Sequence, residues 1–208
     1  KGWFWDSKKN NEAKSAERLF QMYLETVGRN ATFLLNLPPN RAGVIDESLV
    51  TIMEDLGNKL KTRLGNDLAK TATITASTTR EAMGKGNYDA KNMTDGNKNT
   101  YWAAPDGQKS AVIELKWDTP QTVRYVSLME YIKLGQRVKK FKIETSEDGV
   151  TFTERATQQT MTTVGYKRII PLNGYTSSYS TSGYKAKVVR ITIENAKACP
   201  LLHTVEVF

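Results

Sequence analysis

The 208-residue sequence holds one cysteine, Cys199, and one histidine, His203. A lone thiol closes no intramolecular disulfide and builds no thiolate metal cluster, and a lone imidazole excludes a histidine-rich metal centre within the chain. No apolar run approaches the roughly 18 residues that would span a bilayer as a helix. No internal repeat and no low-complexity linker interrupts the sequence. A charged and apolar leader is missing too: the opening "KGWFW" is aromatic at once, where an ordinary amino terminus is polar and frayed. The chain is therefore expected to begin inside a domain, so the missing leader says nothing about export.

What is present is an ordinary folded composition, 39% hydrophobic and 25% charged. The formal charge of +8 raises nucleic acid as a partner. Yet the densest basic stretch, "IKLGQRVKKFKIE", alternates cations with apolar residues as on the wet face of a strand. No nucleic acid partner is expected. No membrane partner is expected either, because lipid binding needs apolar spikes at loop tips, and tips such as "GYTSSYSTSGY" are polar.

The organisation changes near residue 65. In "AKSAERLFQMYLETVG", Leu19, Phe20, Tyr23, Leu24 and Val27 recur at helical spacing, with Ser15 as N-cap and Gly28 as C-terminal cap. "ATFLLNLPP" is a short apolar run closed by prolines and reads as a strand buried on both faces. A second helix follows in "IDESLVTIMEDLGNKLKTRLG", with Asp46 as cap and Leu49, Met53, Leu56, Leu60 and Leu64 as its stripe. With "GWFW" as a further strand, the order is strand, helix, strand, helix. Two such units cannot close a parallel sheet, so they are expected to end a larger α/β domain.

From about Thr71 the period becomes two. "TATITAST", "SAVIELKW", "TVRYVSLME", "VKKFKIETS", "TFTERA", "GYKRIIPL", "KAKVVRITIEN" and "HTVEVF" alternate between turns, including the "EDG" hairpin signal at Glu147 to Gly149. Strands without intervening helices argue for an antiparallel β-sandwich, so the fold expected is α/β followed by all-β, divided at 1–68 and 69–208.

These residues carry a resemblance. "GWFWDSKKNNEAKSAERLFQMYLETVGRNATFLLNLPPNRAGVIDE" resembles the last two strand–helix units of the (β/α) barrel in α-L-fucosidases of glycoside hydrolase family 29. The recurrent signature there, "SVGRN..LLLN.PP...G", is matched by Val27, Gly28, Arg29, Asn30, Leu34, Leu35, Asn36, Pro38, Pro39 and Gly43. "MTDGNKNTYW", "GQRVKKFKIETSEDG", "VGYKRI" and "VVRITIE" are similar to a discoidin-like jelly roll, the coagulation factor 5/8 type C domain, close to family 32 carbohydrate-binding modules.

The resemblance implies a retaining glycosidase acting on fucosylated glycans, in a periplasmic or extracellular setting. Its nucleophile and acid/base, carboxylates about 5 Å apart, would both lie upstream. No residue of this chain is expected to be catalytic: Asp6, Glu12, Asp46 and Glu47 read as loop or capping carboxylates. The leading segment would supply one wall of the sugar pocket, with Trp3 and Trp5 on one face of their strand and Asn36 near it. The upstream part of the same barrel is then its partner. In the sandwich, "KNMTDGNKNTYW" resembles a calcium loop, with Asp95 and Thr100 offering side-chain oxygens and Asn92 and Asn97 carbonyls. The family's further glutamate ligand is replaced by Thr204. The competing reading of "DGN" is a plain Asx turn. Sugar recognition falls to Tyr88, Glu130, Tyr131, Gln136 and Arg137, with an internal Glu130–Arg137 ion pair as the alternative. Trp102 is expected in the core. A stand-alone lectin-like protein without catalytic activity is the competing function.

Overall fold

A computed structural model describes residues 3–6, 8, 13–82, 87–157, 160–174 and 182–208. Two helices come first. In α1, Ala16–Thr26, the extended N-cap Ser15 accepts a hydrogen bond from the Arg18 amide, satisfying one donor that a helix start leaves open. Leu19, Phe20 and Leu24 are buried, as their spacing predicts. α2, Glu47–Leu64, buries Leu56 and half-buries the rest of its stripe. Asp46 does occupy its N-cap position, but the carboxylate does not cap. It accepts instead from the Trp5 indole N–H at 2.6 Å and from the Asn40 amide at 2.8 Å. Arg63 locks the helices together, donating to both Glu17 oxygens at 2.8 Å while its guanidinium sits 4.7 Å from the Phe20 ring centre. Arg63, with Lys59 at 3.0 Å, holds the Glu17 carboxyl below its ordinary value.

Neither expected leading strand forms. A strand is a property of a pair, and among the described residues no neighbour offers "GWFW" or "ATFLLNLPP" a ladder. Leu34 is 77% exposed and Phe4 84%, so the apolar run is not buried on both faces. The bend at Trp3 and Phe4 also removes the alternation that would put Trp3 and Trp5 on one face.

The expected alternating runs all become strands: β1 (Thr73–Ala76), β3 (Ala111–Val123), β4 (Tyr125–Glu130), β5 (Val138–Ser146), β6 (Thr153–Arg155), β7 (Arg168–Pro171), β8 (Tyr184–Ala196) and β9 (Leu201–Val207). The two-residue β2 (Trp102–Ala103) was not legible as a period. All pair antiparallel, in a five-stranded sheet β1-β3-β8-β5-β6 and a four-stranded sheet β2-β9-β4-β7. Their inner faces enclose a core around Trp102, Leu115, Phe141 and Ile191. Along the outer face of the five-stranded sheet the cations pair with acids, Lys140 with Glu194 at 2.9 Å and Arg190 with Glu114 at 2.7 Å. That is a solvated ionic face.

Every residue of β4 is buried, with the sandwich core on one side and, at Tyr125, the helices on the other. Tyr125, Ile169 and Phe208 join Phe20, Leu24 and Leu56 in a second apolar cluster. Phe20 meets Tyr125 edge to face at 6.1 Å. The helix stripes thus find their sheet within this chain, on the outside of the sandwich.

Candidate functional site

Strand alternation builds an aromatic surface on that same outer face. Trp102 of β2 is in register with Leu202 of β9, and Leu202 with Glu130 of β4. All three are fully buried, which bears out the core position of Trp102. The residues next to them, Tyr101, His203 and Tyr131, turn outward, aided by a register shift in the β4–β9 pair. Tyr101 stacks on Tyr131 with ring centres 4.4 Å apart, and Tyr88 leans on Tyr101 at 5.4 Å. Arg80 lies 5.4 Å from the Tyr88 ring centre and Lys133 5.7 Å from that of Tyr131. Burial pushes the Tyr101 phenol up, with the adjacent Tyr88 adding to it, and burial lowers His203, which stays neutral at pH 7.

Of the five residues expected to recognise sugar, Tyr88 and Tyr131 come together, joined by Tyr101. Tyr101 was overlooked, although period two counted outward from buried Trp102 would have found it. Gln136 is exposed on the following turn. Glu130 requires a correction, because its side chain has no exposed surface to offer a ligand. Its Oε1 accepts from the Arg137 and Val138 amides at 2.7 and 2.8 Å, and its Oε2 from the Gly165 amide at 2.7 Å. Burial raises this carboxyl, opposed by those three amides. The Arg137 guanidinium turns elsewhere, donating to the Leu134 and Cys199 carbonyls. Glu130 therefore staples the turn beneath the tyrosines through main-chain amides, where a direct ion pair with Arg137 was the competing expectation.

In the Asp95 loop, the Thr100 hydroxyl lies 2.6 Å from Asp95 Oδ2 and 2.9 Å from the Asn97 carbonyl. These two contacts are hydrogen bonds within the loop, and a hard cation would take roughly six to eight oxygens. The Asn92 side chain points inward to the Asn87 and Tyr101 carbonyls, and the Thr204 hydroxyl is 2.6 Å from His203 Nδ1. Asp95 Oδ1 also accepts from the Asn97 amide at 2.7 Å, an Asx turn. Among the described residues no three His, Cys, Asp or Glu gather as metal ligands.

The leading aromatics border an open cleft of about 500 Å³ lined by Phe4, Trp5, Asp6, Pro39, Asn40 and Arg41. Trp5 is anchored there by Asp46. Trp3 is 61% exposed, and its carbonyl accepts from the Asn36 amide at 2.6 Å.

The signature "VGRN" serves neither cleft. Gly28 is not in a left-handed cap; a Cβ there would fall 2.5 Å from the Leu24 carbonyl and 3.1 Å from Ile169 Cβ. That space lets the chain reach β7, where the Gly28 carbonyl accepts from the Ile169 amide at 3.0 Å and Arg29 bridges Arg168. Asn30, at φ 67°, donates to the Val164 carbonyl at 3.0 Å and accepts from the Lys167 amide at 2.9 Å. Gly165 lies between these two contacts with φ 68°, and a Cβ on it would sit 2.7 Å from Asn30 Oδ1.

Two packed antiparallel sheets in this strand order define a discoidin-like sandwich. The chain belongs to the F5/8 type C domain family, whose model matches residues 73–205, while residues 1–63 match the alpha-L-fucosidase model. It is 31% identical over 211 residues to putative alpha-L-fucosidase 1 of Oryza sativa subsp. japonica, covering 100% of this chain and 37% of that protein. The crystal structure of a putative alpha-L-fucosidase from Bacteroides thetaiotaomicron superposes with TM-score 0.85 at 31% identity, over 100% of this chain and 42% of that one. A Ruminococcus gnavus GH29 fucosidase in complex with fucose gives TM-score 0.84 at 33% identity, over 100% and 39%. The chain thus spans less than half the length of these relatives.

Proposed function

We propose that this chain is the carboxyl-terminal portion of a retaining α-L-fucosidase, in which residues 1–68 complete a (β/α) barrel and the sandwich from residue 69 binds the glycan. The observation that carries the reading is the alignment of both halves, in one order, with single fucosidase chains. The substrate is a fucosylated glycan encountered outside the cytoplasm. The rest of the barrel covers the aromatic segment and brings both catalytic carboxylates. Trp3 and Trp5 present indole faces to the C–H face or methyl group of fucose, while Asn36 positions Trp3 through its carbonyl. Tyr88, Tyr101 and Tyr131, edged by Gln136 and Arg137, form a platform for the remainder of the glycan. In the protein extended by the residues that relatives place before this segment, Trp3→Ala or Trp5→Ala is expected to lower kcat/KM for an aryl fucoside by about tenfold or more. Tyr131→Ala is expected to leave that small substrate unaffected. A loss confined to Tyr131→Ala would move the reacting sugar to the sandwich and favour the lectin-like reading.

The Asp95 loop is the proposed seat of a calcium ion, held by Asp95, Thr100 and the Asn97 carbonyl. Its service is structural, tying the loop that carries Tyr101. A ligand bound only by the folded state stabilises it by mass action, so a chelator should lower the melting temperature of this chain and Asp95→Ala should abolish the response. An unchanged melting curve assigns the loop to its Asx turn alone.

A further inference from the structure

The leading segment reaches the tyrosines through an unbroken run of short hydrogen bonds. Asn30 holds the 164–167 loop at two points, donating to the Val164 carbonyl at 3.0 Å and accepting from the Lys167 amide at 2.9 Å. Between those points Gly165 exchanges a pair of bonds with Glu130. Its amide donates to Glu130 Oε2 at 2.7 Å, and its carbonyl accepts from the Glu130 amide at 2.9 Å. Glu130 Oε1 in turn accepts from the Arg137 and Val138 amides at 2.7 and 2.8 Å. Those amides end the 131–137 turn, within which the Leu134 amide donates to the Tyr131 carbonyl at 3.0 Å and the Gly135 amide to that of Ile132 at 2.9 Å. Tyr131 leaves this turn to stack on Tyr101.

Each joint leaves little slack. A Cβ on Gly165 would sit 2.7 Å from Asn30 Oδ1, so the loop comes this close only because the residue is glycine. Asn30 itself takes φ 67°, a left-handed conformation that asparagine adopts more readily than most residues. Glu130 is fully buried, and its two oxygens belong to one planar group held on both sides. A shift of the Gly165 amide therefore moves Oε2, and with it Oε1 and the two amides that Oε1 holds. Contiguous hydrogen-bond networks of this kind carry coupling between distant parts of a fold.

We infer that Asn30 is a positioning residue for the tyrosine platform, acting through Gly165 and the Glu130 carboxylate on the turn that carries Tyr131. The segment matched to the fucosidase model thus sets the geometry of a surface that belongs to the sandwich. A movement of that segment against the sheet is passed to the platform rather than absorbed at the border. The consequence for glycan binding rests on the platform reading above, whereas the relay itself does not.

The test is amide hydrogen exchange on the 208-residue chain, followed residue by residue by NMR with no glycan present. Asn30→Gly removes both side-chain bonds while leaving the left-handed backbone accessible. Exchange at Arg137 and Val138 is expected to rise about tenfold, as loss of two hydrogen bonds from a local opening unit implies. The Val150 and Thr151 amides, held by Asp148 at 2.8 and 2.7 Å in a separate turn, are expected to keep their rates. The ring resonances of Tyr101 and Tyr131 should shift as their stack loosens. Asn30→Asp restores an acceptor for the Lys167 amide and should recover part of the protection. Gly165→Ala, which drives the loop off Asn30, should repeat the pattern, and the two changes together should do little more than one alone. Unchanged rates at Arg137 and Val138, equal acceleration in both turns, or acceleration confined to Gly165 and Lys167 overturns the proposal: the second reduces Asn30 to global stability, and the third cuts the relay at Glu130. Because no sugar enters the assay, a platform that binds no glycan would leave this result standing.

Discussion

An aryl α-L-fucoside is expected to survive incubation with this 208-residue chain. Retaining hydrolysis needs one carboxylate to attack the anomeric carbon and a second to protonate the leaving oxygen, about 5 Å apart across the sugar. Among the described residues the aromatic cleft is lined by a single carboxylate, Asp6. Its neighbour Asp46 is committed to the Trp5 indole and to Asn40, and Glu17 to Arg63 and Lys59. A lone carboxylate provides neither a covalent intermediate nor its protonated departure, so the loss is total rather than partial. Release of the aryl chromophore, followed continuously, reads the outcome. Turnover above background by this chain alone would break the assignment of both carboxylates to the remainder of the barrel.

Glu130→Ala is expected to be the most damaging single change to folding. Removing the carboxylate leaves the amides of Arg137, Val138 and Gly165 without their acceptor, each losing a charge-assisted bond of 2.7 to 2.8 Å. One unmade buried donor costs about 1–3 kcal/mol, so three bring the loss to about 3 kcal/mol or more, and a melting temperature lower by roughly 10 °C. Glu130→Gln keeps two acceptor lone pairs and should recover part of that. Thermal unfolding of both variants checks the order. A Glu130→Ala protein that melts like its parent would show that the turn before β5 holds itself.

The sandwich was readable because alternation is local: Val138–Ser146 announces its buried face without knowing its neighbour. The same period, followed through Val126 and Leu128, would have turned Glu130 inward. Glu130 ends β4, where a polar residue resembles a loop contact, yet its side chain follows the strand's buried face. "FLLNLPP" was misread for the opposite reason, since an apolar run states a need for partners and not their presence. The helix stripes declared their apolar faces correctly, but periodicity is silent on which surface receives them. Nothing in the sequence linked Phe20 to Tyr125, more than a hundred positions away. The tyrosine stack depends on three strands meeting in register, which no single stretch of sequence displays.

Anyone wishing to graft this sandwich onto a different enzyme would naturally cut near residue 69, where the alternation begins. The Asn30 clasp on residues 164–167 makes that cut unsafe. The excised module would carry bare Tyr125, Ile169 and Phe208, a greasy scar where the helices had been, and a loop whose Gly165 had been shaped for a side chain left behind. A transplant that keeps Val27 to Asn30, or rebuilds the 164–167 loop for a new host, respects a border drawn in space and not along the chain.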